Sequence, residues 1–183
     1  MQRLVSALII SRIHYWYSVP YGLPAITLAP LQRVLHAAVR LVANLGYHDH
    51  VTPAMKELHW LPIAYRIKYK LCLTMHAAVN NRNPAYITDT LVPTSSLLHH
   101  ERLRSHESGG FEVPRVRTEF GRRTFSIASP TVWNELSHNI RRTDNVTTFK
   151  RVLKANLFKP ADDCWRFFSS LTCLVKRCWT MFG

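Results

Sequence analysis

The chain has 183 residues, 47% of them hydrophobic and 19% charged, with 24 Lys and Arg against 11 Asp and Glu, a formal net charge of +13. That apolar content excludes a disordered polyelectrolyte, and the length suits one domain, or one domain with a tail. The charge is spread, +3 in each of 1–50, 51–100 and 101–150 and +4 in 151–183, so there is no basic tail, and the partner implied is a polyanion, a nucleic acid or an anionic membrane surface.

Residues 4–16 place Val5, Leu8, Ile9, Ile13 and Trp16 on one helical face. The apolar run after Arg3 imitates a short signal peptide, but Arg12 and His14 follow at once with no small-residue cleavage site. Pro20, Gly22 and Pro24 end this helix in a turn. Residues 30–45 predict the clearest helix, with a stripe of Leu31, Val34, Leu35, Ala38, Leu41, Val42 and Leu45 and with Gly46 as its stop. Arg33 and Arg40 lie on another face of it.

Thr52 is expected to cap a short helix with Pro53 in first position. Pro62 opens the next helix, which runs to about Asn80 with a core stripe of Ile63, Ile67, Leu71, Met75 and Ala78. Asn83-Pro84 starts a short helix through Leu91. Residues 93–110 read as a loop or linker, and a loop of that length usually has a function or is disordered. Residues 111–127 alternate, with Phe111, Val113 and Val116 before Gly121 and Phe125 and Ile127 after it, which suggests a short β-hairpin. Ser129-Pro130 is expected to cap a helix holding Val132, Trp133 and Leu136, and Asn145 another holding Phe149, Val152, Leu153 and Leu157. The tail 159–183 mixes Trp, Phe and Leu with Arg166, Lys176 and Arg177. The expected fold is therefore mainly α: a helical region over 1–92, the loop 93–110, a hairpin-and-helix region over 111–158, and the tail.

Catalytic patterns are not found. Asp162-Asp163 lacks the flanking strands and third carboxylate of a two-metal polymerase site, and helix capping is its plainer use. His48 with His50, and His99-His100, do not offer the four closely spaced ligands of a zinc site. Cys164, Cys173 and Cys178 form no recognisable finger, and with Cys72 they read as free thiols of a reducing compartment. No Gly-rich phosphate loop or nucleophile elbow occurs. No metal, cofactor or small-molecule substrate is expected. No window reaches the roughly 18 apolar residues of a membrane span, and the expected location is intracellular, nucleus or cytoplasm.

Binding chemistry remains. Arg33 and Arg40 on one helix suit a phosphate backbone, and so do Tyr65, Arg66, Lys68, Tyr69 and Lys70 on another. Arg115, Arg117, Arg122, Arg123, Arg141 and Arg142 add to them. Lys and Arg displace counterions from phosphates, and tyrosine stacks on unpaired bases. The plainer alternative is that Tyr65 and Tyr69 shield the core while their basic neighbours are solvated.

An ordered series of motifs resembles one known family. Ser11-Arg12-Ile13, Tyr21-Gly22-Leu23-Pro24, Leu31-Gln32-Arg33-Val34, Ala37-Ala38 and Arg40-Leu41-Val42 begin it. Thr52-Pro53, Lys56 to Pro62, Arg66-Ile67 and Pro84-Ala85-Tyr86-Ile87 follow. Pro114-Arg115, Arg117-Thr118, Gly121, Arg123, Phe125-Ser126, Pro130, Trp133-Asn134, Phe149-Lys150 and Leu153-Lys154 complete it. Over roughly 4–158 the chain resembles the segment after the catalytic palm in LINE-type, jockey-like non-LTR retrotransposon reverse transcriptases. The resemblance implies a thumb-like helical bundle and downstream region that contact an RNA–DNA template–primer duplex. It also implies that the palm's metal-binding aspartates would precede Met1, so the chain reads as a fragment without polymerase activity. His14, Trp16, Tyr17 and Leu136-Ser137 depart from the family pattern, and 159–183 match nothing in it. The reading is thus a non-catalytic fragment that binds RNA or RNA–DNA hybrid non-specifically. Three others stay open: a protein-interaction or structural module, a decayed reading frame with no selected function, and, ranked last, a peripheral membrane protein using 164–182.

Overall fold

The computed structural model describes residues 2–5, 7–8, 11–12, 21–96 and 109–159, and these are mainly helical. Helix α1 (Gln2–Val5) packs against α2 (Ala25–Ala43), and α2 packs against α3 (Val51–Glu57) and α4 (Ile63–Val79). A short α5 (Ala85–Thr88) and a 3-10 turn (Thr94–Ser96) follow. Beyond the linker come α6 (Glu119–Arg122), α7 (Phe125–Asn134), α8 (His138–Arg141) and α9, residues 146–159. The rest of the helix expected over 4–16, most of the loop 93–110, Asp162-Asp163, His99-His100, the three late cysteines and residues 160–183 lie outside the described residues.

Helix α4 is the hub. Its expected stripe, Ile63, Ile67, Leu71, Met75 and Ala78, is buried. So are Arg66, Cys72 and His76 on its other sides, and no residue from Ile63 to Ala78 is exposed. Helix α2 covers one side with Leu35, Ala38 and Val39. Helix α7 covers another with Ala128, Val132 and Trp133. Phe149 of α9 stacks on His76 with ring centroids 4.1 Å apart and lies 5.9 Å from Trp133. Residues from both sides of the linker thus share one core.

Two helices begin earlier than their prolines suggest. Pro30 does not open α2, which starts at Ala25 with Pro24 as N-cap. Pro130 does not open α7, which starts at Phe125 with Thr124 as N-cap. A proline within a helix gives up one backbone bond, and burial of the surrounding face outweighs that loss here. Pro53 likewise stands third in α3 rather than first, with His50 as N-cap. The face of α2 is also rotated from the expected stripe. Leu28, Gln32, Leu35, Ala38 and Val39 are buried, whereas Val34 and Leu41 are 47% and 55% exposed. Leu8, assigned to a buried face, is exposed as well.

Three helix ends use left-handed residues other than glycine. Asn44 (φ 52°), not Gly46, stops α2, and the next residue, Leu45, donates its backbone N–H to the Arg40 carbonyl at 3.0 Å. Asn81 (φ 53°) ends α4 in the same way, with Arg82 N–H on the Ala77 carbonyl at 2.8 Å. His59 (φ 52°) ends α3, with Trp60 N–H on Met55 O at 2.9 Å and His59 N–H on Lys56 O at 3.0 Å. These paired bonds are the Schellman closure, completed by an apolar contact that the buried Trp60 and Met55 provide.

The hairpin expected within 111–127 is not formed, and no strand runs through the described residues. Phe111 pairs instead with Pro93 in an isolated antiparallel bridge. Its backbone is held from the other side by the Asn134 amide, which accepts from Phe111 N–H at 3.1 Å and donates to its carbonyl at 2.8 Å. Gly121 lies inside α6, where Thr118 Oγ1 accepts its N–H at 3.1 Å. A Cβ there would stand 2.6 Å from Val116 Cγ1, so the glycine serves a close approach rather than a turn.

Candidate nucleic-acid interface

The thirteen residues chosen from sequence occupy separate elements. Arg33 is exposed on α2. Arg40, two turns on along the same face, is half-buried and reaches the Asp49 carbonyl at 3.4 Å. Tyr65 and Tyr69 are half-buried and pack on the core, as the shielding alternative requires. Arg66 is buried, donates Nε–H to the Leu61 carbonyl at 2.7 Å, and lies 5.9 Å over the Trp60 ring. Burial would lower the Lys68 ammonium, but its 2.9 Å bond to Glu135 more than offsets that, and its pKa rests above the ordinary value. Lys70 is half-buried.

Arg115 and Arg117 are exposed. Arg122 pairs with Glu119 at 3.0 Å on the surface, and Arg122 and Arg123 line a recess of about 350 Å³ beside Tyr21 and Gly22. Arg142 is exposed at the end of α8, 3.5 Å from the His138 ring. Arg141 is half-buried, and burial holds its guanidinium below the usual range. The Nε atoms of Arg40, Arg123 and Arg141 are buried without a hydrogen-bond partner. These three side chains lay their stems against the protein, as long cationic residues commonly do.

A denser cluster of cations lies elsewhere. A recess of about 650 Å³ opens between the end of α3 and α9. Lys56 and His59 form one wall, and Arg151, Lys154 and Lys159 the other, with Ala155 and Phe158 between. Among the described residues no carboxylate lines it. The cause is the helical repeat of α9. Phe149, Leu153 and Leu157 point into the core, so Arg151 falls on the exposed face while Lys154 and Phe158 lie half-buried at its edge. Burial, then the Arg66 charge, push the Lys154 ammonium down.

None of the five basic residues of this recess was among the sequence candidates. The signal existed in the i, i+3, i+7 spacing of Arg151, Lys154 and Phe158 and in the i, i+3 spacing of Lys56 and His59. Neither pair of turns is basic enough alone to stand out, and the tertiary packing that joins them is not written in local sequence.

Burial pushes the Cys72 thiol up to about 12, which keeps it protonated and inert. Among the described residues no three His, Cys, Asp or Glu side chains converge, and no helix is long and apolar enough to cross a membrane. No protein-family model, no curated protein and no solved structure matches the chain.

Proposed function

We propose that this chain binds RNA or an RNA–DNA hybrid through backbone phosphates, without catalytic activity of its own. On this reading it is the thumb and downstream part of a non-LTR-type reverse transcriptase, as its motifs suggest. The observation that supports the binding reading is the α3–α9 recess, where Lys56, Arg151, Lys154 and Lys159 gather. Four neutralised phosphates give a salt slope near −0.9 per contact, so affinity for a hybrid duplex falls about a hundredfold between 50 and 200 mM salt. A fluorescence titration with labelled hybrid tests this: no binding at 50 mM salt overturns it. The double variant Arg151→Gln/Lys154→Gln should flatten the slope by about two. Primer extension by the purified chain with Mg²⁺ or Mn²⁺ would overturn the non-catalytic part.

A second reading is a protein-interaction module. It draws support from the dispersal of the thirteen sequence candidates and from Ile26, Val34 and Leu41, which α2 leaves exposed. It calls for binding that is insensitive to salt.

A further inference from the structure

Helix α2 gives Leu28, Gln32, Leu35, Ala38 and Val39 to the core and keeps a second apolar line on the side away from it. Pro30, Val34, Ala37 and Leu41 are exposed, Val34 at 47% and Leu41 at 55%. They follow one another at four, three and four residues, the alternation of a heptad seam. At 1.5 Å per residue the line is about 17 Å long. Arg33 and Arg40 stand one residue before Val34 and Leu41, so both lie on the same flank, where charged residues select a partner helix. The other flank, Leu31 and Ala38, is turned to the core. Helix α2 carries no acidic residue. Among the described residues Arg33 meets no carboxylate, and Arg40 meets the Asp49 carbonyl.

We infer that this line is the docking site for an amphipathic helix of another protein, one that carries acid beside its own apolar seam. The inference goes beyond the nucleic-acid reading and rests on the interaction reading, to which it gives a partner. Three occupants compete for such a face. In an antiparallel pair, a second copy of this chain would set Arg33 and Arg40 against the same two arginines. In a parallel pair it would set them against Leu31 and Ala38, which the core already holds. Both arrangements leave the guanidinium groups without an opposite charge, and a net charge of +13 on each copy adds repulsion. A lipid surface takes a broad apolar face with bulky side chains. The α2 line is one side chain wide, and Pro30 and Ala37 are half of it. An acidic helix meets both features at once, with apolar side chains on the line and carboxylates on Arg33 and Arg40.

Affinity and selectivity then come from different groups. The apolar line supplies the affinity, whereas exposed ion pairs add little each and fix orientation and choice of partner. Salt should therefore weaken this complex only a few-fold, unlike the steep loss that phosphate contacts give.

The test uses the full chain and fluorescence anisotropy with labelled peptides of a few heptads. The first has Leu at a and d and Glu at e and g. The second exchanges those Glu for Lys, and the third shuffles the first, so that composition is kept and the seam is lost. Like charges at e and g keep the first two from pairing with themselves. At about 150 mM salt the Glu peptide should bind at least about tenfold tighter than either control. The double variant Val34→Ser/Leu41→Ser changes only exposed side chains. It should weaken the Glu peptide about tenfold and leave both the thermal melt and the hybrid-duplex titration unchanged. Arg33→Glu should narrow the preference for Glu over Lys about threefold. Equal binding of the shuffled peptide overturns the inference, and so does a Val34/Leu41 variant that keeps full affinity. Flotation with anionic vesicles that the double variant abolishes assigns the line to lipid instead. A dimer in sedimentation that the double variant dissolves assigns it to a second copy. Either result overturns the partner helix, and absence of all three associations overturns the interaction reading with it. The phosphate reading stands or falls separately, on the hybrid titration.

Discussion

At the scale of single residues, one side-chain relay shows how geometry fixes a protonation state. Pro62 has no side-chain acceptor for the first turn of α4, and Gln32 of α2 supplies one: its Oε1 accepts the Ile63 N–H at 2.9 Å. The Gln32 amide is thereby oriented, so its Nε2 donates to His36 Nε2, 2.7 Å away. That nitrogen must be unprotonated, and burial, then the Arg40 charge, hold the His36 pKa down at about 4. The unfolded chain takes up this proton near its ordinary 6.5, before the folded one does. Stability therefore falls as pH drops from about 6.5 towards 4 and flattens below, by at most about 3 kcal/mol. Thermal melts across that window measure it. His36→Gln keeps an acceptor for Gln32 and should show a shallower loss. His59 offers a second residue-scale test. With φ 52° it sits where glycine is preferred, so His59→Gly should raise stability by about 1 kcal/mol in denaturant melts. In sequence Gln32 and His59 stood only as members of the motif series, without these roles, and the Gln32 partner Ile63 lies 31 positions away.

At the scale of elements, helical spacing carried the reading far. The buried stripe of α4 and the Asn145 cap of α9, whose Oδ1 accepts from Thr147 and Thr148 N–H at 2.9 and 3.2 Å, follow directly from the residues. Phe149, Leu153 and Leu157 are buried as their spacing implies. Phe149 is wholly buried between His76 and Trp133, so Phe149→Ala should cost about 3–5 kcal/mol in chemical denaturation. The misreadings share a cause, since each rests on a local rule that tertiary packing overrode. The helix expected over 30–45 begins five residues earlier, at Ala25, and the one expected to be capped by Ser129-Pro130 begins at Phe125. Alternation over 111–127 suggested a hairpin, but the backbone partners of Phe111 are Pro93 and the Asn134 side chain, neither of them adjacent in sequence.

At the scale of the whole molecule, charge and core are arranged independently. Helices from both sides of the linker converge on α4, whereas the basic residues lie on surfaces that this convergence creates. Composition therefore suggested a polyanion partner but could not point to the α3–α9 recess, which exists only once α3 and α9 are brought together. The centrality of α4 has a further consequence. His76, on its far side, donates its Nε2–H to the Thr143 carbonyl at 2.7 Å and stacks on Phe149, so neither half of the chain can satisfy the helix alone. The two halves behave as complementing fragments: expressed separately, residues 1–96 and 109–159 should each fail to give a cooperative melt, and mixing them should restore one. If 1–96 melts cooperatively by itself, the mutual dependence does not hold. A break in the linker between them would leave a nicked but assembled fold, its two pieces kept together by one helix that the first contributes and both must bury.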